Sequence, residues 1–169
     1  MTNARAVDPT HRTVVSYIDK SRDFYQARGY ANPYRWAHYA DVPFAPLVQP
    51  LAQSVVTLVT TAMPLPDTCA DTHELRTVFS MPSATPPTAL ATLGLFWDRD
   101  ATHTDDLDSF FPIHRLEAFA RAGRIGRLAA RLHGVPTEYS QRKTIEHDAP
   151  EILRRCQQDG THAALLVAL

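Results

Sequence analysis

The chain has 169 residues, a formal net charge of −1, 44% hydrophobic residues and 21% charged residues. This length suits one domain with its own core, and the near-neutral charge argues against nucleic acid or an anionic membrane as a partner. No apolar run approaches the roughly 18 residues of a membrane span, and the polar N-terminus lacks a signal sequence. Two cysteines disfavour a disulfide scaffold, so a cytoplasmic protein is expected.

The first half of the chain predicts a helix, an irregular arm and two strands. Apolar residues at helical spacing predict a helix over 14–28, which Gly29 ends. Residues 30–52 are rich in proline and aromatic residues and have no period, which predicts an arm wrapped over the domain. The β-branched run Ser54–Thr61 is typical of a buried parallel strand. Arg76–Met81 predicts a short edge strand, because prolines follow at once.

The central part predicts a strand and a helix joined by a loop. Ala91–Trp97 is the second apolar, strand-like run. A helix is expected to start near Pro112, to bury a stripe that includes Ile113 and Leu116, and to end at the glycines Gly123 and Gly126. Residues 128–135 are ambiguous and are compatible with a further strand.

The last part predicts another helix and strand. Asp148, followed by Pro150 and Glu151, has the pattern of a helix start with an aspartate cap. An apolar face is expected from Ile152, Leu153 and Cys156, and Gly160 closes the helix. The final run, THAALLVAL, predicts a short strand. Strands that alternate with helices in this way indicate right-handed crossovers and a parallel sheet.

A parallel sheet binds ligands beyond the carboxyl ends of its strands, where the loops after Thr61 and Trp97 should meet. The second loop has about 14 residues, longer than most strand-to-helix loops. It carries His103, Asp105 and Asp106, which would suit a site that orients a substrate amine or holds a metal. The alternative is that these aspartates, with Asp108, favour a helix N-terminus by about 0.3–1 kcal/mol.

Cys69 and His73 offer a second set of reactive groups. With His103 and Asp105 they would make a zinc set, although their spacing matches no recognised metal motif. A nucleophilic Cys69–His73 pair is a further alternative. Other titratable residues next to apolar segments are expected to be structural; they are Cys156, His133 and His162. No motif for a dinucleotide, a P-loop, a serine hydrolase elbow or a zinc protease occurs.

A series of short motifs runs from about Ser16 to the end of the chain. They are Ser16-Tyr17-Ile18-Asp19, Pro33-Tyr34-Arg35-Trp36-Ala37-His38, Pro43-Phe44-Ala45-Pro46-Leu47, Leu58-Val59-Thr60-Thr61, Asp105-Asp106-Leu107-Asp108, Phe111-Pro112-Ile113-His114-Arg115-Leu116, Gly123-Arg124-Ile125-Gly126, Ala149-Pro150-Glu151-Ile152-Leu153, and Asp159-Gly160 before Ala164-Leu165-Leu166-Val167. In order and spacing this combination resembles the selenoprotein B family of glycine, sarcosine, betaine and D-proline reductases.

The resemblance implies a reductase that cleaves a carbon–nitrogen bond by attack of a thiol or selenol on a small amine or amino-acid-like substrate. In that family the reactive selenocysteine or cysteine follows the strand that corresponds to Ala163–Leu169. The sequence stops at that strand, and Cys69 does not match the reactive position. A partner reductase subunit is a further implication.

These observations predict a single three-layer α/β domain over residues 1–169, with a mostly parallel sheet and flavodoxin-like or Rossmann-like layering. The resemblance and the strand-end geometry together suggest a site that needs no cofactor or bound metal. Its expected catalytic residues are His103, as a proton donor, and Cys69. The expected substrate-binding residues are Thr60, Thr61, Asp105, Asp106 and Arg115.

Two other functions stay open from the sequence. One is a catalytically inactive binding or accessory protein that keeps the fold, and the other is a metal-dependent hydrolase that uses His73, His103 and the aspartates. A homodimer formed through the arm 30–52 is also expected.

Overall fold

The computed structural model describes residues 17–30, 38–43, 45–65, 77–92, 103–137 and 140–168. The chain divides into two units, Met1–Val42 and Pro43–Leu169. In the first unit, helix α1 spans Tyr17–Ala27, and Gly29 follows it with a φ of +85°. A positive φ is easily adopted by glycine and ends a helix, so the predicted helix and its terminator are confirmed.

The second unit contains a five-stranded, mostly parallel sheet with β1 (Val55–Thr60) at its centre. On one side of β1 lie β3 (Arg127–Leu128) and β4 (Arg131–Gly134), and on the other lies β5 (Ala163–Val167). All three are parallel to β1. Among the described residues, β2 (Phe79–Pro82) is the outer strand beside β4 and pairs with it in the antiparallel direction. The predicted parallel sheet and edge strand are therefore confirmed.

Helix α2 (Ile113–Arg121) covers one face of this sheet. All six residues of β1 are buried, and alternate side chains point to opposite faces. Val56 and Leu58 pack in one apolar cluster with Ile113 and Leu116 of the helix. The apolar stripe predicted for this helix is therefore the face that packs on the sheet, and the helix forms one outer layer.

Helix α4 (Ala149–Gln158) lies against the opposite face. The contact is polar, because Arg155 of the helix donates a hydrogen bond to Ser80 of β2 at 2.8 Å. Just after the helix, Asp159 accepts hydrogen bonds from Arg131 of β4 at 2.9–3.1 Å. Helices on both faces of a mostly parallel sheet make three layers, so the predicted fold class is confirmed.

Helix α4 begins after Asp148, as predicted, but the predicted aspartate cap is wrong. The helical segment begins with α3 (Gln141–Lys143), where the side chain of Ser140 accepts a hydrogen bond from the Lys143 amide. A π-helical turn (Thr144–Asp148) then leads into α4, and Asp148 has helical dihedral angles and makes no side-chain cap to the described residues. Pro150 has no amide proton, so a normal helical bond is missing there, and the wider turn accommodates the break.

The apolar face predicted for α4 is only partly buried. Cys156 is buried, whereas the Leu153 side chain is 58% exposed. The reason is that the side of the helix toward the sheet carries Arg155, which bonds to Ser80 of the sheet. Polar contacts thus replace part of the expected apolar stripe.

The ambiguous run over residues 128–135 forms two short strands with a break between them. At the break, Ser83 satisfies both freed carbonyl groups: its amide donates to Ala130 at 3.0 Å and its hydroxyl donates to Ala129 at 2.5 Å. This arrangement keeps β3 and β4 on the same edge of β1 despite the irregularity.

Two other predictions fall partly outside the described residues. Of the strand predicted over Ala91–Trp97, Ala91 forms an isolated antiparallel bridge with Met63, and residues 93–97 lie outside. Of the predicted arm, residues 31–37 and 44 lie outside, and Leu51–Gln53 forms a 3-10 turn. Among the described helices, none is long and apolar enough to cross a membrane.

Candidate functional site

The carboxyl ends of three parallel strands lie side by side in this sheet. Thr60, the last residue of β1, pairs with Gly134 at the end of β4 and with Val167 at the end of β5. The chain leaves each strand at the same edge, which is where open α/β sheets bind ligands. We call this edge, with the segments 61–63 and 103–106 that adjoin it, the carboxyl-edge site.

Thr60 and Thr61 occupy different environments at this edge. Thr60 is 1% exposed, and its hydroxyl accepts a hydrogen bond from the Ala62 amide at 3.1 Å. Its carbonyl accepts a hydrogen bond from Val135 at 3.0 Å, which ties the exit of β1 to the exit of β4. Thr61 is partly exposed. Thr60 therefore shapes the turn, and Thr61 is the one of the two that solvent reaches.

A chain of contacts joins the second predicted loop to the exit of β1. Met63 and Ala91 exchange two backbone hydrogen bonds, at 3.2 and 2.7 Å. The next residue, Thr92, places its hydroxyl 3.1 Å from that of Thr104. This chain of contacts links Thr104 to the segment that follows β1. The link between the two loops is indirect, because it passes through Ala91 and Thr92.

His103 and Asp105 are the solvent-accessible ionisable groups at this point. Their side chains are 72% and 90% exposed, and His103 Nδ1 lies 3.5 Å from Asp105 Oδ2. The exposed carboxylate can bind a cationic group of a ligand, and the neighbouring imidazole can exchange a proton with that ligand. The structure therefore brings these two predicted residues together.

Asp106 and Asp108 bond to the backbone that leads into α2. Asp106 Oδ1 accepts from the Asp108 amide at 3.0 Å, and Asp108 Oδ1 accepts from the His114 amide, also at 3.0 Å. Asp108 is also 3.9 Å from Arg115 Nε, and the Arg115 side chain is 76% exposed. These contacts fit the alternative that the aspartates stabilise a helix start. Substrate binding by Asp106 and Arg115 stays a prediction.

Replacing Asp108 by Ala is expected to lower the free energy of unfolding by about 1 kcal/mol, because the His114 amide loses its acceptor at the start of α2. Urea denaturation measures this change. Asp105→Ala is the matched control and should cost about 0.3 kcal/mol or less, since that side chain is 90% exposed. Equal losses in both variants would contradict the capping role.

The second predicted catalytic residue, Cys69, lies outside the described residues, as does His73. Within the described ranges, no group of three histidine, cysteine or acidic side chains is arranged to hold a metal. Cys156 is buried in α4, and burial raises the pKa of its thiol. A buried thiol of this kind stays protonated and is a poor nucleophile, as expected for a structural cysteine.

A buried polar network lies between the sheet and α4, and sequence analysis did not identify it. His133 is completely buried, and its Nδ1 lies 2.9 Å from the Ser80 hydroxyl. Arg155 also bonds to that hydroxyl, while Arg131 binds Asp159 with two nitrogens. The sequence contained one weak signal, a histidine inside an apolar segment. Ser80 precedes His133 by 53 residues, so no local pattern could name it as the partner.

Comparison with known proteins identifies no family. No family model matches the chain, and no curated protein or solved structure matches it significantly.

Proposed function

We propose that the chain is a reductase-like protein that binds a small ammonium-bearing or amino-acid-like molecule at the carboxyl-edge site. The observation that supports this most is the contact chain from Met63 through Ala91 and Thr92 to Thr104. It links Thr104, the neighbour of the exposed Asp105, to the segment that follows β1. The motif resemblance adds reductive carbon–nitrogen cleavage as the class of reaction.

The proposed roles follow from the geometry of each group. Asp105 pairs with the substrate ammonium, because its carboxylate is exposed and a histidine is its neighbour. Attack of the thiolate or selenolate on carbon displaces the neutral amine, and His103 then gives a proton to that freed amine. Thr61 hydrogen-bonds the substrate carboxylate, since it is the threonine of the pair that solvent reaches. The attacking thiol or selenol belongs, by resemblance, after β5.

A second candidate function is binding without catalysis. It is favoured by the state of Cys156, the cysteine among the described residues, which is buried with a raised pKa. Both candidates predict ligand binding, and they differ in turnover. Release of ammonia or amine from glycine, sarcosine or betaine in the presence of a dithiol, or opening of the D-proline ring, distinguishes them. Binding of these ligands without release would favour the second candidate.

Replacing Asp105 by Asn is expected to weaken betaine binding about fivefold, because an exposed charge pair contributes up to about 1 kcal/mol. Titration calorimetry measures the affinity, with 3,3-dimethylbutyrate as a ligand of the same shape that lacks the ammonium charge. That ligand should not lose affinity in the variant. Asp23→Asn is the matched control, since the Asp23 side chain is 67% exposed on α1. An unchanged betaine affinity in the Asp105 variant would rule out this site.

A cytoplasmic location and a homodimer formed through residues 30–52 belong to the same proposal. They rest on the composition and on the aromatic, proline-rich character of that segment. Light scattering of the purified protein tests the second point, and a monomeric mass at working concentration would contradict it.

A further inference from the structure

Three elements meet at the hydroxyl of Ser80. Ser80 lies on β2, its Oγ is 2.9 Å from Nδ1 of His133 on β4, and it is 2.8 Å from Nη1 of Arg155 on α4. The histidine is completely buried. This hydroxyl therefore links the helix to the two strands.

The proton positions follow from what each group can donate. A guanidinium only donates, so Ser80 Oγ accepts from Arg155 and its own proton is available for His133 Nδ1. In this arrangement Nδ1 is unprotonated and accepts the hydroxyl proton, and the ring proton lies on Nε2. That nitrogen is 3.8 Å from Asp159 Oδ2, too far for a hydrogen bond, and it has no hydrogen-bond partner among the described residues. The other tautomer would direct the Nε2 lone pair at a carboxylate, which is unfavourable.

The two carboxylates around His133, those of Asp159 and Glu151, are already bound by arginine side chains. On its own strand, Arg131 binds Asp159 at 2.9–3.1 Å. On α4, Glu151 binds Arg155 at 2.6 Å and also pairs with Arg154. β2 adds the neutral Ser80, and α4 adds the neutral thiol of Cys156. Within the described part of the chain, both carboxylates that face the imidazole are thus already engaged by guanidinium groups.

Protonation would also reverse the bond between the two strands. A protonated Nδ1 donates, so the hydroxyl oxygen would accept from both cations and the hydroxyl proton would lose its acceptor. Burial lowers the pKa of His133, and the Arg131 guanidinium lowers it further. The packed structure is therefore compatible with the neutral ring and opposed to the cation.

We propose that His133 is a pH-sensitive latch, which holds α4 against the sheet while the ring is neutral and releases it in mild acid. The latch does not depend on the function proposed above. It bears on the same edge, because β5 follows α4 after the turn at Gly160, and the end of β5 lies beside Thr60. Acid would thus loosen the support of one strand at the carboxyl-edge site.

The direction of the effect follows from the pKa shift. A histidine in the unfolded or released chain has a pKa of about 6.5, whereas the pKa of His133 in the packed protein is lower. Its contribution to stability is complete above that unfolded value, and it is lost as the pH falls from there through the pKa of the packed state. Over the interval from pH 7.5 to 5, this predicts a weakening of the packed state of α4 of at most about thirtyfold, a limit set by the unfolded pKa.

Hydrogen exchange monitored by NMR tests the latch in the full chain. Protection factors of the α4 amides, corrected for intrinsic exchange, should fall more than those of α2 between pH 7.5 and 5, by at most about thirtyfold. His133→Asn should remove this difference, because the amide oxygen can accept from Ser80 and does not titrate. His114→Asn is the matched control, since His114 is 57% exposed on α2, and it should keep the difference.

A second measurement does not require any variant to fold. Ring nitrogen shifts of His133 in the wild-type protein should show a proton on Nε2 at pH 7.5. They should change together with the loss of α4 protection. Equal loss of protection in α2 and α4, a proton on Nδ1 at pH 7.5, or a persistent pH effect in a folded His133→Asn protein would each overturn the latch.

Discussion

Replacing Leu58 by Ala is expected to lower the free energy of unfolding by about 3–5 kcal/mol. Leu58 is completely buried at the centre of β1, in the apolar cluster that joins the sheet to α2. Removing its outer carbons loses their burial and leaves a cavity that the neighbouring strands and the helix cannot easily fill, since each is fixed by its own hydrogen bonds. Urea denaturation followed by circular dichroism measures the change.

Leu166 provides a matched control on the adjacent strand β5. Its side chain is 74% exposed, so Leu166→Ala should change the free energy of unfolding by about 0.5 kcal/mol or less. The two variants remove the same atoms from the same sheet and differ in burial. Similar losses for both would mean that β1 is not the centre of the core.

Replacing Gly126 by Ala is expected to cost about 3 kcal/mol, because a Cβ atom has no room there. It would lie 2.6–2.8 Å from backbone atoms of Gln53 and Ser54. The Gly126 amide also donates to Leu51 and Ser54 at 3.1 and 3.0 Å. The close approach sets the start of β3 against the start of β1, so one of these backbone segments must shift. The same denaturation experiment measures the loss.

Gly123→Ala separates crowding from backbone strain. Gly123 has a φ of +68°, but no atom of the described residues lies within 4 Å of an added Cβ, so alanine should cost about 1 kcal/mol there. Gly126 is not among the described glycines with a positive φ. If Gly126→Ala were no worse than Gly123→Ala, the close contact would not matter for folding.

Much of the regular structure could be predicted from local pattern. The run Ser54–Thr61 is β-branched and apolar on both faces, a composition that suits a strand buried from both sides, and β1 is such a strand. The α2 stripe and the final strand were predicted for the same kind of reason. The start of the last helical segment was missed, because Ser140 is followed by polar residues without an apolar period, whereas Asp148-Ala149-Pro150-Glu151 resembles a cap.

The candidate site was predicted only in part. The general rule for parallel sheets predicts that the loops after Thr61 and Trp97 lie at the same edge. Thr92 links them indirectly, since it contacts Thr104 and follows Ala91, which bonds to Met63. The different roles of the aspartates did not follow from their spacing. The side chains of Asp106 and Asp108 accept hydrogen bonds from the backbone amides of Asp108 and His114, and the Asp105 side chain takes no part in those two bonds. The path of the backbone into α2 decides which carboxylates reach these amides.

The sequence alone therefore determined the α/β class and the parallel sheet, because both follow from apolar periodicity and from the order of the elements. The tertiary structure decided how polar side chains are used. His133 faces Ser80 because the antiparallel register of β2 and β4 sets these residues opposite each other, and Arg155 reaches the same hydroxyl because α4 lies across that pair. Strand register and helix placement bring together residues that are far apart in the chain, and neither can be read from the composition or from local sequence patterns.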